Sequence, residues 1–326
     1  MKAIQFTRFG APDVLELVEL PVPEFKRDEV LVRVHAAGVN FFEVLMRADR
    51  YAVTPELPMF PGVEIAGVVE RAGPDADASL VGARVAVPLF AVGRGAGYAE
   101  FVAVDGGSVV RLPDAISFGA AVGLMVQGLT ALHLTRRSLP KGKSVLVSAA
   151  AGGVGSLLLQ LARRNGAEMV IAAASGEKKG ALALSLGADH AVDYTAPGWQ
   201  EDVRRHSGGR GADIIYETVG GASSRAAVDA LAPCGELVLA AMGRFGLKAE
   251  EIERMLGDNQ SIKGFSLLPL LTPHHRLRED LGELFDLAAT GRLTVVEGSR
   301  FPLQEAAEAH RTIEERRAVG KVVLVP

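Results

Sequence analysis

The residues best suited to chemistry by type and spacing lie in one stretch. Ser144-Val145-Leu146-Val147-Ser148 leads into Ala149-Ala150-Ala151-Gly152-Gly153-Val154-Gly155, and then into Ser156-Leu157-Leu158-Leu159-Gln160-Leu161-Ala162-Arg163-Arg164. A short β-branched run ends in small residues, and the next segment repeats its apolar positions at helical spacing, which predicts strand, tight turn and helix. Such a turn binds anions. Its N–H groups converge at the helix N-terminus, where the macrodipole adds partial positive charge. Gly152 is expected to adopt backbone angles closed to other residues, and Gly155, without a Cβ, to let the helix lie close on the strand. Ala150, Gly152, Gly153, Val154 and Gly155 are therefore the expected cradle for the pyrophosphate of a dinucleotide.

A second feature lies about twenty residues further on, where a dinucleotide site that takes an unphosphorylated ribose carries a carboxylate. The chain has Ala172-Ala173-Ala174-Ser175-Gly176 there, with no acid. Ser175 and Lys179 offer a hydroxyl and an ammonium at the opening of the next helix, which suits a 2′-phosphate.

These residues need a scaffold, and the surrounding sequence supplies one. After the turn, strand-like segments at 168–173, 190–193, 212–217, 235–240 and 261–265 alternate with helical ones, the pattern of a doubly wound parallel sheet. Before it, residues 1 to about 124 read as short strands at 14–20, 29–38, 63–72, 84–87 and 97–104, separated by Pro and Gly. That texture predicts an irregular, mostly antiparallel β domain. A helix is expected over 121–136, and beyond 265 come a helix near 278–289, a strand near 294–301, a helix near 303–315 and a closing strand at 321–325. The expected fold class is α/β with two domains, 1–124 with 266–326 and 125–265.

With 326 residues, 48% hydrophobic and 23% charged, the chain has the composition of a globular protein of two domains. A net charge of −4 provides no basic footprint for nucleic acid. Cys234 is the only cysteine, which excludes an internal disulfide and a thiolate zinc cluster and suggests a reducing, cytoplasmic setting. No signal peptide is visible, and no uninterrupted apolar run reaches the roughly 18 residues of a membrane span. No membrane association is expected.

Five stretches carry a resemblance to a known family: Asn40-Phe41-Phe42-Glu43 with Arg47 and Tyr51; Pro61-Gly62-Val63-Glu64-Ile65-Ala66-Gly67-Val68-Val69; Gln127-Gly128-Leu129-Thr130-Ala131; the glycine turn; and Gly320-Lys321-Val322-Val323-Leu324. Across nearly its whole length the chain resembles the zinc-free NADPH:quinone oxidoreductases, the zeta-crystallin-like branch of the medium-chain dehydrogenases/reductases. The resemblance implies a Rossmann domain, a GroES-like catalytic domain and NADPH as cofactor. It further implies cofactor contacts at Thr130, Tyr194, Gly220, Met242, Gly243, Phe265 and Lys321, with Arg316 near the last of these.

Zinc-dependent members of that superfamily hold their metal with a cysteine, a histidine and a further cysteine or acid. Here Asn40 occupies the cysteine position and Val63 the histidine position, so no functional metal is expected. His35 is expected to be a hydrogen-bonded structural residue. Without a metal, hydrogen-bond donors must stabilise the oxyanion that develops during hydride transfer. Asn40 and Tyr51 are the expected catalytic pair, the first donating an amide N–H and the second a phenol O–H. Glu43 either orients Asn40 or pairs with Arg47, Glu64 supports the site structurally, and Gln127 lies near the nicotinamide. The implied substrate is a small quinone or enone. An enoyl-thioester or enone double-bond reductase, or an NADPH-binding protein with little turnover, are the alternatives. A homodimer joined at the edge strand of the dinucleotide sheet is expected, and no nucleic-acid partner.

Overall fold

The computed structural model describes residues 1–240, 246–271 and 274–326. Two compact units divide the chain, Met1–Val126 with Leu271–Pro326 and Gln127–Leu270. The sequence had placed these boundaries at 124/125 and 265/266.

The first unit opens with an antiparallel hairpin of β1 (Lys2–Gln5) and β2 (Glu16–Glu19). Its organising element is β3 (Glu29–Val39), long and buried on most positions, which pairs antiparallel with β4 (Ile65–Ala72) and β6 (Phe101–Asp105). The sheet continues from β4 through β5 (Arg84–Val87) to β7 (Val110–Arg111). Val32 is opposite Val69 on one side and Val102 on the other, so β-branched side chains stack across three strands. With Val30, Val34, Ile65, Val85 and Val104 they form the core of the unit. A short helix, α1 (Phe41–Arg47), starts directly after β3, and α2 (Phe118–Gly123) packs against β3 and β4.

The expected helix at 121–136 forms, with an interruption. A π-helical turn, Leu124–Gly128, separates α2 from α3 (Leu129–Arg137). Such turns leave the regular ladder and are frequent at functional sites. By length and mean hydropathy Phe118–Arg137 qualifies as a membrane span, although Gln127, Thr130 and His133 interrupt its apolar run, and 72% of its apolar window is buried inside the protein. That is the burial of a core helix.

In the second unit strands and helices alternate: β8 (Ser144–Val147), α4 (Gly153–Arg164), β9 (Met169–Ala174), α5 (Glu177–Ser185), β10 (His190–Asp193), α6 (Trp199–His206), β11 (Ala212–Glu217), α7 (Ala222–Val228), β12 (Leu231–Leu239), α8 (Ala249–Gly257) and β13 (Ser261–Gly264). All pairings are parallel, in the order β10-β9-β8-β11-β12-β13. This is the doubly wound sheet that the alternation predicts. The order reverses between β8 and β11, and ligands bind at the carboxyl ends of strands flanking such a reversal.

The tail, α9 (His274–Ala289), β14 (Glu297–Pro302), α10 (Ala306–Glu314) and β15 (Lys321–Val325), belongs to the first unit. There β15 lies antiparallel to β3, with Val322 opposite Val39. The last strand thus brings Lys321 to the end of β3, where Asn40 begins α1.

Candidate active site

In the second unit, α4 starts at Gly153 with Gly152 as its N-cap. The Gly152 N–H bonds Ala149 C=O at 2.8 Å, and Ser156 is the first N–H to bond back into the helix, at 2.9 Å to Gly152 C=O. The N–H groups of Gly153, Val154 and Gly155 are left for a ligand. Gly152, Gly153 and Val154 are only half-buried. A Cβ on Gly155 would stand 2.3 Å from Ala149 C=O, so helix and turn meet as expected. Gly152 corrects the expectation: its φ of −81 and ψ of 178 are open to any residue. The left-handed position is Ala149, at φ 44. Ala150 ties the turn to the neighbouring strand by bonding Ala173 C=O at 3.0 Å. A Cβ on Gly153 would meet the Gln127 amide at 2.0 Å, which places Gln127 on the first residue of α4.

In the first unit, Asn40, Glu43, Glu64 and Lys321 form a buried cluster. Asn40 Nδ2 donates to Glu64 Oε1 at 2.9 Å and to Glu43 Oε2 at 3.2 Å, while Asn40 Oδ1 accepts from Lys321 Nζ at 2.9 Å. Lys321 also donates to Val39 C=O at 3.2 Å and ion-pairs with Glu64. Glu64 Oε2 accepts the Val126 N–H, in the π-helical turn, at 2.8 Å. Glu43 does not pair with Arg47. It accepts the Asn40 N–H at 3.0 Å, one half of a capping box on α1, and the Gly62 N–H at 2.9 Å. Burial, with Glu64 nearby, pushes its carboxyl up to about 7 against the opposing effect of Lys321 and Asn40. Arg47 instead pairs with Glu314 at 2.9 Å.

Residues 26–114 match the alcohol dehydrogenase GroES-like domain and residues 186–324 the zinc-binding dehydrogenase family. The chain is 34% identical over 334 residues to a quinone oxidoreductase of Pseudomonas aeruginosa, covering 100% of this chain and 99% of that protein. It is 33% identical over 330 residues to a 2-haloacrylate reductase of a Burkholderia species, covering 97% and 96%. The quinone oxidoreductase of Thermus thermophilus, whose crystal structures include its complex with NADPH, superimposes with a TM-score of 0.84 at 35% identity, covering 100% of both chains. The chain belongs to the quinone oxidoreductase family of medium-chain dehydrogenases/reductases.

Two residues expected to face ligands in this quinone oxidoreductase-family chain are engaged inside the first unit. Both side-chain N–H groups of Asn40 are used, so it has none to give a substrate carbonyl. Lys321 is 1% exposed and its three donors are spent on Glu64, Asn40 and Val39, so it does not reach out to a cofactor phosphate. Tyr51 is half-buried beside the Phe42 ring, with centroids 5.7 Å apart, and its hydroxyl has no hydrogen-bond partner among the described residues. His35 stacks on Phe118 at 4.7 Å in place of the expected hydrogen bond.

Around the ribose end of the sheet, Ser175 and Lys179 are half-buried at the start of α5, and Tyr194 is half-buried just after β10. Gly176 caps α5 at φ 77, which accounts for glycine at this position, and its N–H bonds Asp193 Oδ2 at 3.1 Å. An acid does therefore stand at this end of the sheet, supplied by β10 instead of β9. Its other oxygen accepts the Thr195 N–H at 2.9 Å and hydroxyl at 2.6 Å, and these bonds hold the carboxyl below its ordinary range. Gly220 follows β11 at φ 88, and its N–H is taken by Glu217 at 3.0 Å. Glu217 is buried and its carboxyl is pushed up chiefly by that burial. Thr130 lies in α3, Phe265 bonds Leu239 C=O at 2.9 Å, and Arg316 is exposed beyond α10. Met242 and Gly243 lie outside the described residues.

Sequence reasoning missed the joint role of Glu43, Glu64 and Lys321 around Asn40. One signal was available. Gly38 falls inside a strand, where glycine marks close approach, and a Cβ there would stand 2.3 Å from Glu64 Oε1 and 2.7 Å from Lys321 Cε.

Proposed function

We propose that the protein is an NADPH-dependent reductase that delivers hydride to quinones or other conjugated carbonyls without zinc, in the cytoplasm, as a homodimer. The observation that carries the cofactor is the turn before α4. Three N–H groups there lack helical partners and Gly155 leaves no side chain in the way, so the residues fit a pyrophosphate. Ser175, Lys179 and Tyr194 are the residues that would hold the 2′-phosphate, and the NADPH complex of the Thermus relative supports NADPH as the cofactor. When bound, the cofactor supplies the hydride.

This chain's own residues have separate tasks. Tyr51, whose hydroxyl has no partner among the described residues, donates to the substrate oxygen as negative charge develops there. Asn40 acts as a positioning residue. Its amide gathers Glu43, Glu64 and Lys321 into one compensated cluster and thereby fixes the start of α1, the helix that carries Phe42 against Tyr51. No step requires a metal, since Asn40 and Val63 stand at positions where zinc-dependent relatives carry ligands.

A second reading, reduction of an activated carbon–carbon double bond, is favoured by the similarity to the Burkholderia 2-haloacrylate reductase. NADPH oxidation by the purified protein against 1,4-benzoquinone, 9,10-phenanthrenequinone, an α,β-unsaturated ketone and crotonyl-CoA separates the two. Turnover of the quinones supports the first reading. Turnover of only the ketone or thioester moves the protein to the double-bond reductases, and binding without turnover removes both.

A further inference from the structure

The residues that would hold the 2′-phosphate stand on two different strand ends, and one carboxylate ties those ends together. Among the described residues β10 is an edge of its sheet and pairs only with β9, the last registered pair being Asp193 opposite Ala174. One further rung, the Tyr194 N–H to Ala174 C=O at 3.3 Å, closes the ladder. Beyond it the two chains part, Ser175 and Gly176 leading into α5 and Tyr194 and Thr195 into a turn. Asp193 spans the gap. Its Oδ2 accepts the Gly176 N–H at 3.1 Å, and its Oδ1 accepts the Thr195 N–H at 2.9 Å and hydroxyl at 2.6 Å. Its own C=O accepts the Ala196 N–H at 3.0 Å, so the turn after β10 is fixed on both sides of the residue. Without such a tether the end of an edge strand frays.

The start of α5 is built around the same carboxylate. In a capping box the third helical residue is an acid that accepts the N-cap N–H. The N-cap of α5 is Gly176 and the third helical residue is Lys179, so here the acid reaches the N-cap from the neighbouring strand and a cation takes its place in the first turn. Lys178 adds a second cation beside it. Positive charge in the first turn opposes the helix macrodipole, an arrangement that becomes favourable when an anion binds there. Gly180 is the first N–H to bond back into α5, at 3.1 Å to Gly176 C=O, which leaves the N–H groups of residues 177–179 without helical partners.

We propose that Asp193 is a positioning residue for cofactor selectivity: by holding Gly176 and Thr195 it keeps Ser175, Lys179 and Tyr194 together as one 2′-phosphate site, and so sets the preference for NADPH over NADH. The inference rests on reading those three residues as the phosphate site. Asp193 acts through them and not on the phosphate, since both its oxygens are turned to Gly176 and Thr195. Its negative charge works against a bound phosphate, but the residue is only half-buried, where water and salt screen that repulsion. Loss of the tether therefore outweighs relief of the charge.

The test is equilibrium titration of the purified full-length protein with NADPH and with NADH, read by cofactor fluorescence with no substrate present. Wild type binds NADPH more tightly. Asp193→Ala should weaken NADPH on the order of tenfold and leave NADH within about twofold, because NADH has no 2′-phosphate for the site to hold. Asp193→Asn keeps one acceptor oxygen, and its preference should fall between those of wild type and Asp193→Ala. Weakening of both cofactors by the same factor in Asp193→Ala would make the residue merely structural and overturns the proposal. Tighter NADPH binding in that variant, the mark of simple charge repulsion, overturns it too. If Asp193→Ala fails to fold, Asp193→Asn decides: a preference below that of wild type supports the proposal, and an equal or greater one overturns it. A wild type that binds the two cofactors equally overturns the phosphate site and the role of Asp193 with it, whereas a wild-type preference that survives in Asp193→Ala overturns the role of Asp193 alone.

Discussion

Asn40 and Tyr51 look alike in sequence as donors for a carbonyl, and the structure separates them. Asn40 has both side-chain N–H groups and its oxygen engaged with Glu43, Glu64 and Lys321, whereas the Tyr51 hydroxyl has no hydrogen-bond partner among the described residues. Asn40→Ala leaves two carboxyl groups and an ammonium facing each other in a buried pocket without their common partner. It should cost about 2–4 kcal/mol, read as a lower urea midpoint. Tyr51→Phe should change stability by less than about 0.5 kcal/mol while kcat/KM falls on the order of tenfold to a hundredfold. Equal loss of stability in both, or unaltered turnover in Tyr51→Phe, would refute this division of roles. Glu43 makes a separate prediction. Its carboxyl is raised from 4.5 to about 7, so between those values the folded state holds a proton that the unfolded chain has released. Its contribution to stability is complete below 4.5 and is lost as pH rises through about 7. Thermal melts should therefore fall more steeply between about pH 5 and about pH 8 in wild type than in Glu43→Gln. Parallel slopes would mean that Glu43 titrates at its ordinary value.

At the scale of the element, the strained point of the cofactor turn is Ala149, an L-residue at φ 44. Left-handed backbone costs a residue with a Cβ roughly 1–2 kcal/mol, part of which returns as the greater unfolded-state entropy of glycine. Ala149→Gly should thus raise stability by about 0.5–1 kcal/mol in urea unfolding, and a loss would show that the turn is not strained there. The strand, turn and helix around it were legible because their periodicity is local, and Gly155 was legible because close helix–strand contact is a fixed demand of the fold. Which residue of a small-residue run takes the left-handed angle was not. Alanine and glycine differ in tolerance, and the sequence shows tolerance but not the dihedral adopted. The cluster in the first unit was hidden for another reason. Asn40, Glu43 and Glu64 are close in sequence, but the cation they need is Lys321, 257 residues from Glu64. Only the placement of β15 beside β3 brings it there, and no local pattern reports that register. Asp193 was hidden likewise, since its carboxylate reaches Gly176 from β10 and not from the end of β9.

Across the whole molecule, the doubly wound sheet ends at β13, which among the described residues pairs only with β12 and leaves Ile262 at 38% exposure. Pairing of this edge with the same strand of a second copy would give the proposed homodimer. Light scattering at micromolar concentration should give twice the chain mass of 34.3 kDa, and a monomer mass would contradict the expectation. The net charge of −4 is consistent with a small-molecule ligand and offers nothing that attracts nucleic acid along an extended surface. The function proposed for the chain is zinc-independent hydride transfer from NADPH to a conjugated carbonyl. The most direct measurement is quinone-dependent oxidation of NADPH and of NADH by chelator-treated wild type and Lys179→Ala. Turnover that survives chelation, prefers NADPH, and loses that preference in Lys179→Ala is the predicted result. Turnover abolished by chelation and restored by zinc, or an equal rate with NADH in wild type, would contradict it.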